Sequence, residues 1–262
     1  MKLAVFDLDG TLALTNSVDG RCYLAAFREA LDLDGFDGDW SIFPDRTDSG
    51  IGRELYRRCL GRLPEMAELD RARDRFVALL EEALAQDPGE FRPVPGAPAL
   101  LDALPGYGWA VVLATGGWRA SAELKLRAAG LDAAVREAAP LVTADDGVSR
   151  REIVEGAIRA AGERHLAGRS GAFERVVCLG DGTWDLAVAA ELGLPFVGVT
   201  AEGDARSLRD GGASHLLSDY TDRATALEAL ELAAIPRKTQ PGGPRDRGVS
   251  PSAIWTLSAS TR

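Results

Sequence analysis

The stretch Leu3-Ala4-Val5-Phe6-Asp7-Leu8-Asp9-Gly10-Thr11 decides how this chain is read. Leu3 to Phe6 are apolar, too short and too unpatterned for an amphipathic helix, and predict a buried strand. Two carboxylates follow at its end. In an open α/β sheet, ligands bind at the carboxyl ends of the strands. Alternation along extended backbone puts Asp7 and Asp9 on one side and Leu8 on the other. Gly10 lets the chain leave the strand through a conformation closed to other residues. Two acids this close repel one another, so the arrangement needs a counter-charge. A hard divalent cation such as Mg²⁺ suits carboxylate oxygen and keeps several of its waters.

The whole chain is compatible with that start. It has 262 residues, 46% of them hydrophobic, enough for one large domain or two modest ones. The formal net charge of -10 argues against a general nucleic-acid binder and against attraction to an anionic membrane. Cys22, Cys59 and Cys178 are scattered, with neither a metal spacing nor an even disulfide set, so a cytoplasmic setting is expected. No apolar run reaches membrane-spanning length, and Asp7 interrupts the start before a signal-peptide core can form. His165 and His215 are isolated, which speaks against a histidine triad or a zinc cluster.

Outward from the opening strand, helical spacing predicts helices over Cys22 to Leu33, Ile51 to Leu60 and Met66 to Leu84, with no strand pattern among them. Residues 13–92 are therefore expected to form a helical domain inserted after the first strand. From Gly96 on, strands and helices alternate. Strands are expected at Trp109 to Ala114, Ala138 to Val142 (weakly), Val176 to Leu179, Phe196 to Val199 and His215 to Leu217. Helices are expected at Pro98 to Leu104, Arg119 to Ala129, Arg151 to Ala161, Asp185 to Leu192, Ala205 to Arg209 and Thr225 to Ala233. Single-helix crossovers imply a doubly wound parallel sheet of α/β, Rossmann-like class, formed by residues 1–12 and 93–235. Residues 236–262, rich in Pro, Gly, Ser and Arg, read as a disordered tail whose apolar pair is Ile254-Trp255.

Three more strand ends or helix starts carry polar clusters. Thr115 offers a hydroxyl, and Gly116 and Gly117 offer backbone amides that can approach an anion closely. Arg150, after Asp145-Asp146-Gly147-Val148-Ser149, offers forked donors suited to phosphate or carboxylate. Asp181 follows another apolar strand and can complete a metal site with Asp7. Asp185, four residues on, can hold the metal's waters or the basic residue in place.

This arrangement resembles the haloacid dehalogenase-like (HAD) superfamily, most closely its small-molecule phosphatases, from Met1 to about Ile235. Asp7 to Thr11 match the family's D-x-D-G-T, Thr115 its second motif, and Gly180-Asp181-Gly182-Thr183-Trp184-Asp185 its acidic fourth motif. The helical insertion resembles the type I cap. The third motif usually supplies a lysine, whereas this chain offers Arg150 and Arg151 there. Arg150 is favoured because it opens a helix beside the site.

The resemblance implies a Mg²⁺-dependent phosphatase of small phosphorylated metabolites. Asp7 would be the nucleophile and Asp9 the acid/base. Asp7, the Asp9 carbonyl and Asp181 would hold the metal, with Asp185 behind them. Gly10, Thr115, Gly116, Gly117 and Arg150 would hold the phosphate, Thr115 and Arg150 as part of the catalytic set. Dehalogenases of the family generally lack the second Asp, so Asp9 favours phosphoryl chemistry. A phosphomutase of the same fold and a non-catalytic phosphate-binding protein remain as alternatives; a receiver-type domain would be about half this length. Arg46, Asp48, Ser49 and Arg53 are candidates to meet the leaving group. Oligomeric state is left open.

Overall fold

The computed structural model describes residues 1–31, 43, 46–132, 139–167 and 172–237. The chain begins with β1 (Lys2–Phe6) and β2 (Ala13–Leu14), then α1 (Asn16–Leu31), α2 (Asp48–Leu60) and α3 (Met66–Gln86). It continues through β3 (Arg92–Pro93), α4 (Ala97–Ala103), β4 (Trp109–Ala114), α5 (Arg119–Ala128), β5 (Leu141–Val142) and α6 (Arg150–His165). β6 (Val176–Gly180), α7 (Thr183–Leu192), β7 (Phe196–Val199), α8 (Ala205–Asp210), β8 (His215–Leu217) and α9 (Arg223–Leu232) follow. Among the described residues, six strands form one parallel sheet in the order β5-β4-β1-β6-β7-β8. The chain goes from β1 outward to β4 and β5, then returns to β6, so the order reverses at β1. Phe6 pairs with both Leu113 and Leu179, which brings Asp7, Thr115 and Asp181 to one edge of the sheet.

Alternation gives the sheet two apolar faces. Leu3 and Val5 pack with Val112, Ile153, Ala157 and Leu186 on the α6–α7 side. Ala4 and Phe6 pack with Leu113, Leu100, Ala122 and Leu230 on the opposite side.

The three helices between β1 and β3 have their own apolar cluster, including Val18, Tyr23, Phe27, Leu55, Phe76 and Leu80. β2 and β3 pair antiparallel, Ala13 with Pro93 and Leu14 with Arg92, so the chain leaves and rejoins the sheet at one place. The sequence showed no strand there, because two residues carry no period. The N-terminus of α2 docks on the sheet's loops. Thr47 donates to the Val148 carbonyl (2.7 Å) and Ser49 to the Ala144 carbonyl (3.1 Å). Asp48 donates its amide to the Gly116 carbonyl (2.8 Å) and accepts from the Trp118 amide (2.8 Å).

Most predicted elements stand, with shifted ends. α1 starts at Asn16, six residues early; Gly20 and Asn16 mask its first turns, since glycine is a poor helix former. α6 starts at Arg150 because Ser149 caps it, with Glu152 reaching back. β5 is only Leu141–Val142; Ala138 lies outside the described residues, as do Asp32 and Leu33 and residues 238–262 with Ile254-Trp255. Among the described residues, no helix is long and apolar enough to cross a membrane.

Trp118, at the start of α5, joins the two parts. Its ring stacks with Tyr23 (5.8 Å) and Phe27 (6.4 Å), and its indole nitrogen donates to Ser49 Oγ (2.9 Å). Trp118→Ala should cost about 3–5 kcal/mol of stability in urea unfolding, as expected for a buried aromatic; a loss below about 1 kcal/mol would show that the stack contributes little.

Candidate active site

Asp7 leaves the central strand at the sheet's carboxyl edge and is only 6% exposed. Arg150 opens α6 and points inward. Its Nη1 lies 2.9 Å from Asp7 Oδ1 and its Nη2 lies 3.2 Å from Asp185 Oδ1. Arg151 points outward, where it pairs with Glu155 and Glu191. Arg150 Nε is buried without a hydrogen-bond partner. A Cβ added at Gly116 would sit 3.3 Å from that nitrogen and 2.7 Å from the Arg46 carbonyl. Gly116 thus lets the guanidinium and the Arg46 carbonyl pack against bare backbone, where a side chain would collide. Thr115, beside it, is buried. Gly117, expected to offer its amide to an anion, instead donates it to Thr115 Oγ1 (3.1 Å). That bond closes the turn after β4 and takes the amide out of the anion seat.

Asp7, Asp181 and Asp185 each offer an oxygen, and these atoms lie within 4.8 Å of one another. Asp185 was expected behind the metal ligands; the structure groups it with them. Burial and the neighbouring acids push the Asp181 carboxyl up to about 8. Burial also lifts Asp185 to about 7, against the pull of Arg150. Asp7 is raised by burial too, which outweighs Arg150. Burial works against the charge of Arg150 itself, but Asp185 and Asp7 more than compensate and keep it protonated. Three buried carboxylates against one guanidinium leave negative charge uncompensated. An oxygen-rich donor set with that deficit fits a hard divalent cation.

Backbone shape helps to hold the cluster. Gly10 has φ +69°, and a Cβ there would lie 2.1 Å from Asp181 Oδ2. Asn16, at the start of α1, donates to the same oxygen (2.7 Å). Gly180 leaves room for Asp185, whose Cβ would otherwise be 2.5 Å away.

Asp9 lines a cavity with Asp7 and Asp181 but bonds to different partners. Its Oδ1 accepts from Thr15 Oγ1 (2.6 Å) and its Oδ2 from Lys125 Nζ (2.7 Å). Lys125 is fully buried on α5 and also donates to Asp19 Oδ1 of α1 (2.6 Å). Burial raises the Asp19 carboxyl to about 6, against the pull of Lys125. Sequence reading missed Lys125, Asp19, Thr15 and Asn16. For Lys125 a signal existed: Trp118, Ser121, Ala122, Lys125 and Ala129 follow helical spacing along one buried stripe.

Asp7, Asp9, Asn16, Asp19, Arg150 and Asp181 line a cavity of about 290 Å³ together with Tyr23, Ile51 and Trp184. Of the four expected leaving-group contacts, Arg46 and Asp48 line it. The Arg46 guanidinium sits 4.6 Å from the Trp184 ring centre, and one Asp48 oxygen is held by the Trp118 amide. Ser49 is absorbed in docking α2, and Arg53 is exposed on its outer face. Asp145 and Asp146 lie outside the cluster, bonded to Arg119.

The profile of the haloacid dehalogenase-like hydrolases matches residues 1–193. No curated protein matches the sequence. Among solved structures, a hydrolase from Pseudomonas syringae is 23% identical, with TM-score 0.65, over 89% of this chain and 100% of that one. CbbY from Rhodobacter sphaeroides, solved with phosphate, is 23% identical (TM-score 0.61; 88% and 99% covered). A predicted phosphoglycolate phosphatase from Haemophilus somnus is 16% identical (TM-score 0.55; 87% and 98% covered). At such identities the likeness to these structures is one of fold. The profile spans the strand ends that carry Asp7, Thr115 and Asp181, and the chain belongs to the haloacid dehalogenase-like hydrolases.

Proposed function

We propose that the protein is a phosphatase that hydrolyses a small phosphomonoester through an aspartyl-phosphate on Asp7. One observation carries this reading. The Asp7 carboxylate and Arg150, whose Nε is unpartnered, line the same cavity beside Gly116. A nucleophile and an anion donor then address the same phosphoryl group.

Arg150 orients Asp7 through one carboxylate oxygen and leaves the other to attack phosphorus. The phosphorus–oxygen bond to the leaving group breaks as the new bond to Asp7 forms. Asp9, lining the same cavity, gives the leaving oxygen its proton. It then takes a proton from the water that hydrolyses the intermediate, releasing inorganic phosphate and restoring Asp7. Thr115, Gly116 and Arg150 hold the transferring oxygens, at the position where charge gathers. Asp7, Asp181 and the Asp9 carbonyl would hold Mg²⁺, with Asp185 beside them securing Arg150. When bound, the ion supplies positive charge that eases the approach of a phosphate to a carboxylate. Residues 13–92 act as a cap over the site, entered and left through β2 and β3. Cys22, Cys59 and Cys178 are free, which supports a reducing, cytoplasmic setting.

Asp7→Asn should abolish release of inorganic phosphate from p-nitrophenyl phosphate while leaving the circular-dichroism spectrum and melting temperature close to wild type. Turnover near wild type would exclude the covalent route. Arg150→Ala should lower kcat by about 10²–10³-fold, as for loss of a transition-state donor. Arg150→Lys should restore only part of it, since the charge returns without the fork. Arg151→Ala should be nearly silent; the reverse pattern would move the phosphate seat to Arg151.

The metal has a signature in stability. Folding lifts Asp181 to about 8 and Asp185 to about 7, against about 3.9 unfolded. Ionising them therefore costs more in the folded state, so stability is greatest below the unfolded value and falls as pH rises towards 8. In EDTA the melting temperature should drop from about pH 5 to about pH 8, and Asp181→Asn should flatten that drop. Added Mg²⁺ needs ionised ligands, so it should raise the melting temperature more at the alkaline end. Equal shifts at both ends would reject the carboxylate cluster as the metal site.

A further inference from the structure

Lys125 has no part in the chemistry above, yet it is the most deeply buried cation near it. An ammonium taken wholly out of water costs several kcal/mol unless paired. Here two carboxylates from different parts of the chain meet it. Asp9, in the loop after β1, lies 2.7 Å from Nζ, and Asp19, in the first turn of α1, lies 2.6 Å away.

The consequence falls on Asp9. Thr15 occupies Oδ1 and Lys125 occupies Oδ2, so both ends of the carboxylate are fixed. Each oxygen keeps a second lone pair for the transferred proton, while the two tethers stop the carboxyl rotating freely, and proton transfer is sensitive to its angle and reach. Asp19 in turn fixes the ammonium. The geometry points to Lys125 as a positioning residue that, anchored by Asp19, aims Asp9 at the leaving-group oxygen. This rests on the phosphatase reading, in which Asp9 is the acid. No proton moves through Lys125; it acts by placing Asp9.

The test compares leaving groups. The p-nitrophenolate ion departs without needing a proton, whereas phenolate departs far better with one. The ratio of kcat/KM for the two aryl phosphates therefore reads proton donation, because kcat/KM reports only the steps up to loss of the leaving group. Lys125→Met should lower kcat/KM for phenyl phosphate about tenfold or more beyond its effect on p-nitrophenyl phosphate. Asp9→Asn should show the same selective loss. Where Lys125→Met does not yield folded protein, Asp19→Asn/Lys125→Met carries the test, since it removes one charge of each sign and leaves Asp9 without its ammonium. An equal loss on both substrates would overturn the inference and leave Lys125 as a purely structural counter-ion. If Asp9→Asn is selective and the lysine variants are not, the inference fails and the phosphatase reading stands. If Asp7→Asn remains active, or Asp9→Asn is unselective, both fall.

Discussion

Asp7, Asp9, Asp19, Asp181 and Asp185 crowd into one end of this molecule with Asp48 beside them, and the fold must keep them apart in function while holding them together in space. Asp7, Asp181 and Asp185 form one group and Asp9 and Asp19 another. A single buried cation serves each: Arg150 enters from the start of α6, Lys125 from the side of α5. Their shapes suit the two tasks. The guanidinium fork reaches two acids and keeps a third donor in reserve, while the ammonium acts as a compact charge between two others. Without these cations the charges at the sheet's edge would resist burial.

The sheet supplies the other half of the arrangement. Because β1 sits where the strand order reverses, loops on either side of it diverge and leave a crevice. Asp7 projects into that crevice from the end of β1, inside the sheet between β4 and β6. Its neighbours come from β4, from α6 and from the β6–α7 turn, so residues far apart in the chain meet with little freedom. The register of Phe6 with Leu113 and Leu179 sets their level.

Much of this was legible because the relevant residues interrupt strong patterns. Asp7 and Asp181 end apolar strands, and Gly10 and Gly116 stand where a side chain would collide. Arg150 follows Ser149, a good helix cap, which placed it at a helix start. What stayed hidden had no such interruption. Lys125 lies among Glu123 and Arg127 on a helix whose composition looks solvent-facing, and only the spacing of its small neighbours marks the buried stripe. Asn16, Asp19 and Thr15 act through contacts made only when α1 folds back on the sheet. Gly117 lines the cavity with its amide turned to the Thr115 hydroxyl, a local bond that no sequence pattern announces. The β2–β3 pair is too short to leave any trace.

The docking of α2 has an evolutionary side. Thr47, Asp48 and Ser49 bind the carbonyls of Gly116, Ala144 and Val148 and the amide of Trp118, all main-chain atoms, and Ser49 adds one side-chain bond, to the Trp118 indole. Main-chain partners survive substitution of the residue that bears them. The loops around the reaction centre can therefore drift in side-chain identity without undocking the helices above. The helices can in turn exchange the residues that face the cavity, such as Tyr23, Arg46 and Ile51. Docking of the helices and lining of the cavity thus fall largely on different atoms, with Asp48 serving both.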